Sequence, residues 1–134
     1  MGLEWSESYE VGVEIIDAQH RELFRRISEL VEAMEQSKGK EHVGEVIAFL
    51  GGYVVEHFGT EERLMAEKRF PGAVEHKREH ASFVATLAAL RAQLEKQGPG
   101  GYLAIDVNNK VCNWLVRHVL GTDKALGTFL RARR

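Results

Sequence analysis

Four stretches of this chain repeat apolar residues at alternating spacings of four and three, and each stripe is interrupted by a histidine or a carboxylate where packing calls for leucine. The period is that of an amphipathic helix. The first helix is predicted from Asp17, an N-cap residue type, to the break at Ser37-Lys38-Gly39-Lys40, with the stripe His20, Phe24, Ile27, Val31 and Met34. The second is predicted over Glu41–Lys68 and carries Val43, Ile47, Leu50, Val54, His57, Glu61 and Leu64. Pro71-Gly72 marks a turn, after which His76, His80, Phe83, Leu87, Leu90 and Leu94 continue the alternation. Gly98-Pro99-Gly100-Gly101 breaks the chain again, and a fourth helix from near Asp106 carries Val111, Leu115 and His118.

Such stripes, joined by short loops, predict an all-α, up-down-up-down four-helix bundle with an extended N-terminal arm. At 134 residues the chain is read as one domain, 1–134, with its own core. Measured from the first loop, His20 and the His57/Glu61 pair lie about 18 and 20 residues away, within about one turn of the same level. Around the third loop, His76/His80 and His118–Asp123 each lie about 21 residues away. The second loop matches less closely, at about 12 and 7 residues. All four helices can deliver polar groups to one layer.

Two details depart from a plain helix. Gly51-Gly52 falls inside the second helix at a cost of about 1 kcal/mol per glycine, which suggests close helix approach, with a kink as the alternative. His118 and Asp123 are five residues apart, a spacing that a regular helix would turn to different faces. A π-bulge near Gly121 is predicted to bring Asp123 inward.

Composition narrows the function classes. Hydrophobic residues make up 44% and charged residues 28%, ordinary for a soluble domain. A net charge of −2 gives no reason to expect nucleic acid, and Arg131, Arg133 and Arg134 read as a solvated tail. The one cysteine, Cys112, cannot form an internal disulfide. No run is long enough to span a membrane, and the acidic N-terminus lacks a signal-peptide profile. The start MGLEWS fits the myristoylation pattern without polybasic support. The reading is a cytosolic, cytoplasmic monomer with no membrane insertion.

Buried imidazoles and carboxylates need partners, because an unpaired buried charge costs several kcal/mol. One resolution serves seven of them together: His20, His57, Glu61, His76, His80, His118 and Asp123 are metal ligands. Pairs at i, i+4 share a helix face, as chelation requires. His42 and Glu62 fall off the stripe and are expected on the surface. His76-Lys77-Arg78-Glu79-His80 also spells the HxxEH zinc-peptidase motif, but that reading leaves His20, His57 and His118 unexplained. Five imidazoles and two carboxylates exceed a structural zinc site and lack its thiolates. They suit two first-row metal ions, with imidazoles terminal and carboxylates bridging. Glu56 and Glu79 are nearby candidates to orient the imidazoles.

The chain resembles the hemerythrins of the single-domain bacterial type. The residues that carry the resemblance are Trp5, Gly12-Val13, Ile16-Asp17 and Gln19-His20; His57-Phe58, Glu61-Glu62 and Met65; His76, Glu79-His80 and Phe83; and Trp114-Leu115, His118 and Asp123. The resemblance implies two iron ions with an oxo or hydroxo bridge. His76, His80 and His118 would bind one and His20 and His57 the other, with Glu61 and Asp123 between them. It further implies reversible dioxygen binding on the two-histidine side, within a pocket of Leu23, Phe58, Trp114, Leu115 and Val119. Val119 replaces the family's common isoleucine, from which a roomier pocket and faster autoxidation are expected. The implied role is oxygen storage, or delivery to an oxygen-consuming enzyme, without catalysis. The alternatives are an oxygen or redox sensor module and a di-iron enzyme acting on peroxide, nitric oxide or O2. A structural zinc bundle is the plainest competitor.

Overall fold

In the computed structural model, which describes residues 4–133, five α-helices form four antiparallel rods. Met1, Gly2 and Leu3 of the acylation motif, and the terminal Arg134, lie outside the described residues. The helices are α1 (Glu14–Glu35), α2 (Gly39–Lys68), α3 (Ala73–Gln97), α4 (Gly101–Arg117) and α5 (Lys124–Arg131). A π turn, His118–Asp123, joins α4 to α5 in one rod. Helix α1 packs against α2 and α4, and α3 against the same two, which is the all-α four-helix bundle that the stripes predict. No helix of the described residues is long and apolar enough to cross a membrane.

The boundaries differ from expectation at three points. Helix α1 starts at Glu14, not Asp17, whose carboxylate instead accepts from the N–H groups of Val11 (2.8 Å) and Gly12 (3.1 Å). Asp17 thereby anchors the arm. Helix α4 begins at Gly101, five residues ahead of Asp106, because Leu103 and Ala104 are already buried. The first and second rods end in left-handed Ser37 (φ 60°) and Arg69 (φ 55°). At Arg69 the bonds Phe70 N–H to Met65 O (2.9 Å) and Arg69 N–H to Ala66 O (3.4 Å) close a Schellman motif without glycine.

Gly51 and Gly52 do not mark a close helix approach. A methyl group at either position would meet no heavy atom within 4 Å. The close approach lies elsewhere, at Gly127, where an added Cβ would fall 2.3 Å from the Val11 carbonyl oxygen. The arm runs over that bare backbone. It is extended apart from a 3-10 turn at Glu7–Tyr9, and Trp5 and Tyr9 set their rings against Phe24 at 5.2 and 4.7 Å.

Two hydrophobic clusters fill the bundle. The larger runs from Leu23 to Val119 through the half closed by the first and third loops. The smaller joins Val11, Ile16, Met65, Leu126 and Leu130 at the other end. Between them lies a layer of buried polar side chains.

Candidate metal centre

The first rod contributes one residue to that layer, and each of the others two residues about a turn apart. Helix α1 gives His20, α2 gives His57 and Glu61, α3 gives His76 and His80, and the fourth rod gives His118 and Asp123. All seven are 2% exposed or less. A regular continuation of α4 could not aim both His118 and Asp123 inward. The π turn does so, as the bond from Lys124 N–H back to Val119 O records, and His118 Nε2 lies 3.0 Å from Asp123 Oδ1. The distortion expected from the five-residue spacing is present where the sequence placed it.

The carboxylates divide the imidazoles into two groups. Glu61 Oε1 faces His76 Nε2 (2.9 Å), His80 Nε2 (3.0 Å) and His118 Nε2 (3.8 Å), while Oε2 faces His57 Nε2 (3.1 Å) and His20 Nε2 (3.5 Å). Asp123 repeats the division, with Oδ1 near His76 (3.1 Å) and His118 and Oδ2 near His20 (2.9 Å). Two overlapping sets result: Glu61, His76, His80, His118 and Asp123, and His20, His57, Glu61 and Asp123. Within each set, the potential ligand atoms all lie within 4.8 Å of one another, and both carboxylates belong to both sets.

The outer ring nitrogens establish what those inner atoms carry. Thr60 donates its hydroxyl proton to Glu56 O, so its oxygen accepts from the Gln19 amide N–H (3.1 Å). That turns the Gln19 carbonyl toward His57, whose Nδ1–H donates to it at 2.7 Å. His80 Nδ1–H donates to Glu62 (2.9 Å), and His118 Nδ1–H donates to Glu79 (2.7 Å). A neutral imidazole protonated at Nδ1 bears a lone pair at Nε2. Three such lone pairs therefore point at anionic oxygens, an arrangement that only a cation or a second proton makes stable.

The shifts in proton affinity carry the same message. Burial disfavours imidazolium at His20, His76 and His118, but the close carboxylate oxygens of Asp123 and Glu61 attract the proton strongly enough to outweigh it. They raise His20 and His76 to about 9 and His118 to about 10. Burial likewise opposes ionisation of Glu61, yet the surrounding histidines hold it well below the carboxylate range. Burial and the neighbouring Glu61 charge both raise Asp123, and its three histidine contacts more than reverse them.

Among the described residues, both nitrogens of His20, Nδ1 of His76, Nε2 of His118, Oε2 of Glu61 and both Asp123 oxygens are buried without a hydrogen-bond partner. Native interiors rarely leave such groups unsatisfied. Inward-facing imidazole and carboxylate donors around one layer fit metal cations, and the absence of thiolate favours an iron-type over a structural zinc site.

His42 is exposed, as expected. Glu62 is not merely a surface residue, since it bonds His80. Gln19 was legible only as a motif letter, because an amide inside a helix gives no periodic signal. Glu79 has the orienting role anticipated for it, whereas Glu56 points to solvent and contributes only its backbone carbonyl. The peptidase reading of His76–His80 fails on the same ground: Glu79, the would-be base, is tied to His118 and Thr122. Of the expected pocket, Leu23, Phe58, Leu115 and Val119 are buried and Trp114 is half-buried, all on the large-cluster side of the layer. Phe58 stacks on His80 at 3.8 Å and Trp114 on His118 at 4.2 Å.

Comparison with known proteins gives the arrangement a family. Residues 11–130 match the hemerythrin HHE cation binding domain. A bacteriohemerythrin of Stenotrophomonas maltophilia is 31% identical over 130 residues, covering 97% of this chain and 82% of that protein. A myohemerythrin of Riftia pachyptila is 31% identical over 120 residues, covering 89% and 86%. A bacteriohemerythrin of Pseudomonas aeruginosa is 28% identical, covering 90% and 76%. With a metal-capable layer in the bundle and a family match over nearly its whole length, the chain belongs to the hemerythrin family.

Proposed function

We propose that this protein binds dioxygen reversibly at a pair of iron ions, and stores oxygen or delivers it to an oxygen-consuming enzyme without itself being a catalyst. One observation carries the reading: each of the two shared carboxylates turns one oxygen to each histidine group, and the groups differ by one imidazole. His76, His80 and His118 would hold one ion and His20 and His57 the other, with Glu61 and Asp123 common to both. The two-imidazole side offers one donor fewer, and dioxygen has its place there. When bound, the iron pair supplies the two electrons that capture and release of dioxygen require.

The protein residues contribute orientation and dryness. Gln19, Glu62 and Glu79 fix three imidazole rings through Nδ1 and direct Nε2 inward. Leu23, Leu115 and Val119 close the layer against water, which limits proton delivery and loss of the captured oxygen. Five neutral imidazoles donate less charge than a carboxylate-rich site would, and so favour carriage over oxygen activation.

The test is anaerobic iron loading followed by titration with O2 and a visible spectrum. Two irons per chain and an absorption band that appears with O2 and vanishes on deoxygenation are expected. Irreversible oxidation with no such band would overturn the reading.

A further inference from the structure

We infer that Glu79 and Thr122 are positioning residues: one α3 carboxylate clamps the π turn of the fourth rod and holds the register in which His118 and Asp123 both face the metal layer. The π turn needs a cause. A regular continuation of α4 is the more stable backbone and would carry Asp123 off the inward face. Within His118–Asp123, two side chains reach across to another helix on the outer side, and both end on Glu79. His118 Nδ1–H donates to Oε1 at 2.7 Å. Thr122 Oγ1–H lies 2.7 Å from Oε1 and 2.8 Å from Oε2, so the hydroxyl is shared by the carboxylate.

The spacing makes these bonds act on the turn as a unit. An i→i+5 turn sets residues i+4 and i+5 on either side of the line above residue i. Here residue i is His118, i+4 is Thr122 and i+5 is Asp123. Glu79 holds the first two on the outer side, while His20 of α1 and His76 of α3 meet Asp123 at 2.9 and 3.1 Å on the inner side. Fixing Thr122 toward α3 therefore leaves Asp123 toward the layer. Gly121 imposes no steric demand of its own, because a methyl group there would meet nothing within 4 Å. A partner that merely oriented the His118 ring would have no use for Thr122.

The experiment uses the full chain and two readouts. In metal-free protein, Thr122→Val is expected to accelerate amide hydrogen exchange across residues 119–124 about three- to tenfold, with α2 and α3 unchanged. Thr122→Ser should restore the wild-type rates. Glu79→Gln should also stay near wild type, because its Oε1 still accepts from His118 and its amide N–H can donate to Thr122 Oγ1. The second readout rests on the iron-binding reading above: Thr122→Val should weaken iron affinity about 10- to 100-fold, and Thr122→Ser should recover it. Unchanged exchange in Thr122→Val overturns the clamp whatever iron does. If the wild-type chain binds no iron, the iron reading fails, while the exchange readout still decides the clamp.

Discussion

Val119 is completely buried in the larger apolar cluster, one residue from His118, and a single methylene there alters the packing beside the polar layer. Val119→Ile is expected to slow autoxidation of the oxygenated protein several-fold by narrowing water access, at a packing cost of about 1–3 kcal/mol if the core does not yield. Decay of the oxygen-dependent band, followed in parent and variant at equal temperature and pH, checks it. A rate no slower than the parent's would count against the roomier pocket. At this scale the seven inward groups were legible, since an imidazole buried in a leucine position must be held by a charged group or a metal. The outer partners were less so. Glu79 was a candidate from proximity alone. Gln19, Glu62 and Thr122 sit beside the stripes, and a polar residue one step off an apolar face looks in sequence like any solvated residue. What distinguishes them is the direction of a ring nitrogen on another helix, which no periodicity records.

Helix periods and breakers carried most of the element-scale information, and the errors have physical causes. Asp17 looked like a cap because aspartate commonly accepts from exposed helix-start amides. Here it accepts from Val11 and Gly12 instead, so the helix starts one turn earlier. The Gly51-Gly52 expectation failed because a glycine's missing side chain has the same letter whether the space is filled or empty. That difference is measurable. Gly51→Ala and Gly52→Ala, both in open helix surface, should each stabilise the protein by up to about 1 kcal/mol through helix propensity. Gly127→Ala should destabilise it and loosen the arm, since its Cβ would collide with the Val11 backbone. Urea midpoints of the three variants separate the cases. The π turn, by contrast, was readable because two ligand-type residues at a non-helical spacing can share one site only if the backbone departs from the α-helix.

The whole molecule sets two apolar clusters on either side of a layer of polar groups that is costly to bury unless protons or cations balance its charge. Metal removal should therefore weaken the bundle and give it a pH dependence that follows from the layer's own groups. In the metal-free protein His20, His76 and His118 bind protons more tightly when folded, at about 9, 9 and 10. Groups raised on folding stabilise most below their unfolded value, roughly 6.5 for imidazole, and lose that contribution as pH climbs through the folded values. Glu61 and Asp123 are lowered, so their contribution is present above the ordinary carboxylate range of about 4 and fades as pH falls below it. Metal-free protein should be most stable between about pH 4.5 and 6.5. Each pK unit of imidazole shift corresponds to about 1.4 kcal/mol, so each of the three histidines contributes on the order of a few kcal/mol to the alkaline loss. Bound metal replaces those protons, and the loaded protein should keep its stability at alkaline pH while losing metal in acid as the ligands protonate. Urea unfolding at pH 6 and 9.5, with and without metal, provides the measurement. A metal-free midpoint that falls at pH 9.5 beside a loaded midpoint that does not is the expected pair. Equal metal-free midpoints would mean that the seven inward groups do not hold protons in place of metal, and the layer's charge balance would need another source.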